Sequence, residues 1–139
     1  MNNITWKQVE KDLVTLAKQI PAGKYNKIIA LARGGLIPAY YVSKLLNIRD
    51  VTSVGVTSYV NKKQENLKLE SKIKKDKSKK ILIVDDLADS GKTLALIMQY
   101  YPHASSATLY YKSTSKIIPT YYTKKVEGWI EFPWETIEK

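Results

Sequence analysis

The amino-acid sequence predicts an α/β fold with a mostly parallel central sheet and helices on both faces. Short apolar runs that are typical of buried strands alternate with longer segments whose apolar residues recur at helical spacing. Two predicted strands end in unusual polar sequences, at the edge where open α/β sheets bind ligands. A length of 139 residues, with 44% hydrophobic and 26% charged residues, indicates one globular domain spanning residues 1–139.

The first half of the chain predicts helix, strand, helix and strand in that order. Thr5 is a suitable N-cap for a first helix that ends at Pro21-Ala22-Gly23. Lys27–Ala32 is continuously apolar after its first residue and predicts a buried strand. A helix from about Ile37 to Leu46 follows, and then a strand rich in β-branched residues from Val51 to Tyr59.

The second half predicts a long polar loop and then a further alternation of strands and helices. The lysine-rich segment from Lys62 to Lys80 lacks the apolar pattern of either element, and loops of that length are often functional lids. The other predicted elements are a strand at Ile81–Val84, a helix at Gly91–Tyr101, a strand at Ala107–Lys112 and a last strand at Val126–Phe132.

The composition excludes several kinds of site. The chain has no cysteine, which excludes disulfides and thiolate metal sites. Its one histidine, His103, cannot build a multi-histidine metal site within the chain, and we expect it to be a solvated loop residue. No apolar run approaches the roughly 20 residues of a membrane span, and the N-terminal residues lack the order of a signal peptide. We therefore expect a cytoplasmic protein with no membrane partner.

The charge of the chain favours an anionic ligand. Lys+Arg number 23 and Asp+Glu 13, so the net charge is +10, which attracts polyanions or a small phosphorylated molecule. Much of the excess lies between Lys62 and Lys80, and no aromatic residue occurs from Val60 to Gln99. Proteins that bind single-stranded nucleic acid interleave aromatic and basic residues. We therefore expect a solvated lysine loop and no nucleic-acid partner.

The most informative segment is ILIVDDLADSGKTL, in which a buried strand delivers Asp85 and Asp86 to a short turn and the start of a helix. A helix start offers free backbone N–H groups and the positive end of the helix dipole, which together bind phosphate. Gly91 permits close approach of the backbone there. A nucleotide-binding P-loop is excluded, because that motif requires a glycine where the chain has Asp86.

Each feature has an ordinary alternative when taken alone. An acidic pair at a strand end can be solvated, with Asp89 or Ser90 only capping the helix. A second candidate, Arg33-Gly34-Gly35, can be a simple turn. The combination of an acidic pair, a further acid, Ser-Gly-Lys-Thr and a helix favours a functional site.

This strand, loop and helix resemble the phosphoribosyl pyrophosphate loop of type I phosphoribosyltransferases. The resemblance implies that Asp85 and Asp86 bind the two ribose hydroxyls and place Mg²⁺, partly through water. The residues that the resemblance assigns to the 5′-phosphate are Asp89, Ser90, Gly91, Lys92 and Thr93. Relatives carry Asp-Thr-Gly-Gly-Thr at these positions, although other branches of the family have Gly-Lys-Thr.

The segment Ala30–Gly35 is similar to the pyrophosphate loop of the same family. The resemblance implies that the Arg33 side chain and the backbone N–H groups of Gly34 and Gly35 bind the diphosphate. Several relatives have a non-proline cis peptide at this point, and we expect one before Arg33.

The end of the chain is similar to the base-binding segment of bacterial xanthine-guanine phosphoribosyltransferases. By this resemblance the Trp129 ring stacks on the purine, and backbone groups of Trp129 and Ile130 meet its 2-position edge. Lys112 donates to the 6-oxygen, and the catalytic residue Asp89 exchanges a proton at N7. The alternatives are core packing for Trp129 and Trp134 and a solvated strand end for Lys112.

The resemblance covers nearly the whole chain. It implies a type I phosphoribosyltransferase fold with a mobile lid loop at about 60–80 and a base-binding segment at about 112–135. It also implies a homodimer or homotetramer and a reaction between phosphoribosyl pyrophosphate and guanine, xanthine or hypoxanthine. An arginine expected near Glu65 is absent. Two alternatives remain open, an enzyme for another base and an RNA-binding regulator with the same fold.

Overall fold

The computed structural model describes residues 2–61, 64–69 and 78–137, which form a six-stranded sheet, a two-stranded sheet and three α-helices. Along the chain the elements are β1 (Asn2–Asn3), α1 (Trp6–Gln19), β2 (Lys27–Ala32), α2 (Leu36–Leu46), β3 (Val51–Asn61), β4 (Gln64–Leu69), β5 (Ile81–Ala88), α3 (Lys92–Tyr100), β6 (Ser105–Lys112), β7 (Lys124–Val126), β8 (Ile130–Glu131) and a 3-10 helix (Pro133–Glu135).

The six-stranded sheet has the order β4-β3-β2-β5-β6-β7. Every neighbouring pair is parallel except β3 and β4, and the short strands β1 and β8 form a separate parallel pair. The prediction of an α/β fold with a mostly parallel sheet is confirmed. Because β2 and β5 are central and parallel, the segments that follow them emerge side by side at one edge.

Both faces of the central strands β2 and β5 are buried, which explains why these two strands carry continuous apolar runs. In β2, Ile28 and Ala30 pack with α1 and α2, whereas Ile29 and Leu31 pack with α3 on the other face. Successive side chains of a strand point to opposite faces, so an apolar run is what a doubly covered strand requires. Helix α1 begins as predicted, with the Thr5 hydroxyl accepting the N–H of Gln8 at 3.1 Å.

The prediction of a loop over Lys62–Lys80 was wrong at β4. Residues 64–69 pair antiparallel with β3, from Val56 opposite Leu69 to Asn61 opposite Gln64. Leu69 is buried against Val54 and the α3 side of the core, and one buried leucine in the mostly polar edge strand QENLKL gives little sequence signal. Residues 62, 63 and 70–77 of the predicted loop lie outside the described residues.

The prediction of one strand over Val126–Phe132 was also wrong. The chain turns at Gly128, whose φ of +77° is in the left-handed region that favours glycine. Before this turn β7 pairs with β6, and after it β8 pairs with β1. None of the helices in the described residues has the length and apolar character needed to cross a bilayer.

A buried carboxylate links helix α1 to the sheet. Asp12 is only 4% exposed and accepts hydrogen bonds from the hydroxyl of Tyr110 and, at 3.0 Å, from the side-chain amide of Gln8. The ammonium group of Lys124 lies 3.3 Å from the same carboxylate. Burial and the neighbouring Asp12 raise the pKa of Tyr110 above its usual value, so its hydroxyl stays protonated and acts as the donor.

Replacing Tyr110 by phenylalanine is expected to lower the free energy of unfolding by about 1–3 kcal/mol, because Asp12 loses a donor that water cannot easily replace. Urea denaturation followed by circular dichroism measures the change. The matched control is Tyr40→Phe on the exposed side of α2, which is expected to change the value by less than about 0.5 kcal/mol. Equal effects of the two substitutions would contradict the role of this hydrogen bond.

Candidate active site

The two sequence motifs meet at the edge formed by the carboxyl ends of β2 and β5. A Cβ added to Gly34 would overlap the carboxylate of Asp86. A Cβ added to Gly35 would lie 2.6 Å from the carbonyl oxygens of both Leu31 and Val84. The turn after β2 therefore lies in direct contact with the acid-bearing end of β5, and the absence of side chains at these two positions permits the contact.

The acidic pair lies within β5, which continues to Ala88 and not only to Val84 as predicted. The N–H of Asp86 donates to Asp85 Oδ1 at 2.8 Å, and the N–H of Leu87 donates to Asp86 Oδ1 at 2.7 Å. As neighbours in a strand, the two acids leave the backbone toward opposite faces, but their carboxyl groups remain close enough to interact. Asp85 lines a cavity on the α3 side, while Asp86 faces Gly34.

Both carboxyl groups are in a poorly solvated environment. Burial raises the pKa of Asp85 well above its usual value, and the charge of Asp86 raises it further. Burial also raises the pKa of Asp86. The side chains are nonetheless only partly covered. Two adjacent carboxylates at an accessible strand end suit a ligand that brings hydroxyl donors or a cation to neutralise them.

The loop between β5 and α3 surrounds a cavity of about 90 Å³. This volume is far below the roughly 300–1,000 Å³ of pockets for drug-sized ligands, so it suits a single small group, and the helix tip beside it favours an anionic one. Helix α3 begins after Gly91, which has a φ of +79° and no side chain to cap the helix. The Ser90 hydroxyl accepts the Lys92 N–H at 3.2 Å. Residues that line the cavity include Asp85, Asp89, Ser90, Gly91, Thr93 and Thr108.

Ser113–Lys116, which the sequence analysis placed only in the base-binding segment, supports this loop from outside. The Thr114 hydroxyl donates to the Asp89 carbonyl at 3.0 Å, and the Lys116 N–H donates to the Ser90 carbonyl at 2.9 Å. A Cβ on Gly91 would lie 2.6 Å from the Ser115 hydroxyl. Its only sequence signal was its position directly after Lys112.

The structure brings together two of the residues predicted to act on a base. The ammonium group of Lys112 lies 3.3 Å from a carboxylate oxygen of Asp89, with side chains 13% and 63% exposed. Trp129 is 65% exposed, so its ring is available to a ligand. The Ile130 side chain is buried, which leaves its backbone as the group that could meet one.

The remaining predicted residues have simpler surroundings. Trp134 packs on Phe132 with ring centroids 4.7 Å apart, as the core-packing alternative predicted. Arg33 and His103 are exposed, and the peptide bond before Arg33 is cis, as predicted. In the part of the chain that the structure describes, no group of three or more acidic or histidine side chains could hold a metal by itself.

The close packing of Gly35 gives a test of the loop. Its φ of −77° and ψ of −8° suit any residue, so a Gly35→Ala change would ordinarily stabilise the protein by about 0.4–1 kcal/mol. We expect it instead to destabilise the protein by about 1–3 kcal/mol, because its Cβ meets rigid backbone. Gly34→Ala should cost less, since the Asp86 side chain can move. Urea denaturation of both variants measures this, and a stabilised Gly35→Ala protein would contradict it.

Comparison with known proteins places this arrangement in a family. The family model for a phosphoribosyl transferase domain matches residues 4–138. A xanthine-guanine phosphoribosyltransferase of Cereibacter sphaeroides is 37% identical over 146 aligned positions, which cover 96% of this chain and 86% of that protein. A xanthine-guanine phosphoribosyltransferase of Nitratidesulfovibrio vulgaris is 35% identical, with 96% of this chain and 83% of that protein covered.

Solved structures agree with the sequence relatives. A purine phosphoribosyltransferase from Pyrococcus horikoshii has a TM-score of 0.87 and 36% identity, with 99% of this chain and 97% of that chain covered. A xanthine-guanine-hypoxanthine phosphoribosyltransferase from Helicobacter pylori has a TM-score of 0.83 and 27% identity, with 97% and 94% covered. The glycine turn, the acid-bearing strand and the helix tip thus occur in a chain that belongs to the phosphoribosyltransferase family.

Proposed function

We propose that this chain transfers the 5-phosphoribosyl group from phosphoribosyl pyrophosphate to guanine, xanthine or hypoxanthine, a purine-salvage reaction that releases pyrophosphate and a nucleoside 5′-monophosphate. The observation that carries the proposal is the contact between the Gly34 turn and Asp86, beside the cavity at the tip of α3. Three parts of one substrate, its diphosphate, ribose and 5′-phosphate, then have adjacent sites of matching chemistry.

The class of base rests on three further points. The relatives at 37% and 36% identity are named for xanthine and guanine or for purines. Lys112 supplies a cation near Asp89, and a cation favours a 6-oxo group as acceptor over the 6-amino group of adenine. Trp129 offers an exposed ring face for stacking on the purine.

The proposed reaction needs positioning and charge stabilisation and no covalent enzyme intermediate. The bond between the anomeric carbon and the pyrophosphate oxygen breaks, while the purine nitrogen forms a bond from the opposite face. Asp85 and Asp86 hold the ribose hydroxyls, and Arg33 and the N–H groups of Gly34 and Gly35 hold the departing diphosphate. The attacking purine becomes positively charged, and the Asp89 carboxylate accepts its N7 proton. The other residues of the loop, Ser90, Gly91, Lys92 and Thr93, bind the 5′-phosphate.

The acidic pair fits a bound Mg²⁺. Carboxylate oxygens are hard ligands, and Mg²⁺ is commonly held by one or two carboxylates together with substrate phosphates and water. Asp85 and Asp86 supply that number, and their raised pKa values reflect burial that a neighbouring cation would offset. When bound, Mg²⁺ supplies neutralisation of the charge on the pyrophosphate leaving group.

The same proposal extends to assembly and organisation. Helix α2 has an exposed apolar stripe, which supports a homodimer or homotetramer. The stripe consists of Leu36, Tyr40, Tyr41 and Leu45. We propose that residues 1–139 form one domain, with a base-binding segment at about 112–135. We also propose that the protein acts in the cytoplasm. The segment at about 60–80 acts as a lid that keeps water from the reactive ribose.

A panel of bases tests the proposal. The protein, Mg²⁺ and phosphoribosyl pyrophosphate are mixed with guanine, xanthine, hypoxanthine or adenine, and nucleotide formation is followed by chromatography. We expect product with one or more 6-oxopurines, little with adenine, and loss of product when EDTA removes Mg²⁺. Absence of product with every base, together with steeply salt-dependent RNA binding, would instead favour the RNA-binding regulator.

Asp89→Asn is expected to lower turnover about 100- to 10,000-fold, which is the usual contribution of a positioned acid or base. Asparagine keeps the shape of the side chain but cannot accept the proton. The matched control is Asp50→Asn, because Asp50 is paired with Lys27 and Lys79 at the opposite edge of the sheet. Steady-state rates of both variants decide the matter, and unchanged turnover for Asp89→Asn would remove Asp89 from the chemistry.

A further inference from the structure

The exposed carboxylate of Glu127 joins the turn between β7 and β8 to the segment that follows β6. Glu127 accepts the backbone N–H of Ser113 at 3.0 Å on one oxygen and the Ser113 hydroxyl at 2.8 Å on the other. The two residues are 14 positions apart in the chain. These hydrogen bonds lower the pKa of Glu127, which keeps the carboxylate charged and able to accept both of them at neutral pH.

The residues on either side of this contact are those assigned to the base. Ser113 directly follows Lys112 at the end of β6, and Glu127 lies two positions before Trp129. The loop between β5 and α3 is instead supported by the residues after Ser113, through the Thr114 hydroxyl and the Asp89 carbonyl. The Glu127 carboxylate therefore links the turn that carries Trp129 to the end of β6 that carries Lys112.

The turn that carries Trp129 has little packing of its own. A Cβ on Gly128 would have no atom within 4 Å, and the Trp129 side chain is mostly exposed. Glu127 also lines an open cleft of about 380 Å³ together with Lys124 and Ile130. Strands β7 and β8 hold the two ends of the turn, and the contact with Ser113 fixes its first residue, Glu127, relative to Lys112.

We propose that Glu127 is a positioning residue for the purine base, which sets the separation between the Trp129 ring and the Lys112 ammonium group through its two hydrogen bonds to Ser113. This inference rests on the proposed function. It predicts an effect on base binding that is separate from the binding of phosphoribosyl pyrophosphate, whose proposed sites lie on β2, β5 and the tip of α3.

Two substitutions separate the hydrogen-bonded geometry from the charge. In Glu127→Gln the amide oxygen can accept the Ser113 N–H, and the amide NH₂ can donate to the Ser113 hydroxyl. In Glu127→Ala both hydrogen bonds are lost. We expect Ala to raise KM for the base about tenfold, the equivalent of about 1.4 kcal/mol. Gln should raise it less than about threefold, and both variants should keep kcat and KM for phosphoribosyl pyrophosphate within about twofold of the wild type.

Glu10→Ala, at an exposed position of α1, is the matched control for loss of a surface carboxylate and should behave as the wild type. A base KM unchanged in Glu127→Ala would overturn the proposal. So would an equal rise in Ala and Gln, which would indicate an effect of charge alone. A fall in kcat together with a rise in KM for both substrates and a lowered melting temperature would also overturn it, because that pattern indicates a general structural role.

Amide hydrogen exchange gives a readout that does not depend on catalysis. The Ser113 amide should exchange at least about fivefold faster in Glu127→Ala than in the wild type or Glu127→Gln, because its acceptor is lost. Equal exchange in all three proteins would overturn the proposal. If the wild type makes no nucleotide from any base, the proposed function fails, while the exchange experiment still decides whether Glu127 holds the two loops together.

Discussion

The site depends on the close approach of a glycine turn to the end of a strand that carries two acids. Gly34 lies against the Asp86 carboxylate, and Gly35 lies against the backbone of β2 and β5. Without side chains at these positions, the cationic and N–H-rich turn and the acidic strand end share one edge of the sheet. A substrate that carries both hydroxyls and phosphates requires that combination, since donors and acceptors for its different groups must lie a few ångströms apart.

The sheet makes this approach possible because it is rigid and covered on both faces. The central strands β2 and β5 are buried between the α1–α2 layer and α3, so their carboxyl ends are held in fixed register. Rigid elements can hold functional groups within the small tolerances that catalysis needs. At the end of β5, backbone N–H groups donate hydrogen bonds to the carboxylates of both Asp85 and Asp86. These hydrogen bonds stabilise the two partly desolvated acids.

The sequence predicted the parts of the molecule in which local pattern and tertiary structure agree. The apolar run at β2, the cap at Thr5 and the acid–turn–helix segment have local physical causes, so their positions could be predicted. Strand β4 could not, because it is an edge strand whose pairing with β3 is antiparallel and whose composition is that of a solvated loop. The break at Gly128 depends on which partner strand lies on each side, and pairing over long distances leaves little local trace. The same reasoning explains why the contacts of Ser113–Lys116 and Glu127 could not be predicted from the sequence, since their hydrogen bonds join residues that are distant in the chain.

The ion pair between Lys112 and Asp89 contributes little to the stability of the fold, because Asp89 is largely exposed to solvent. Their ion pair is largely open on the Asp89 side, so under the proposed function an arriving base can exchange it for its own contacts at little cost. A buried and fully paired carboxylate would resist such an exchange, because separating it from its partner would leave a charge without solvent. In the proposed reaction, the ion pair holds the Lys112 ammonium group and the Asp89 carboxylate in place before the purine binds. Once the purine is stacked, Lys112 can donate to its 6-oxygen and Asp89 can accept its N7 proton. On this proposal, pre-positioning of the two charged groups, and not net stabilisation of the fold, is the physical reason for their pairing.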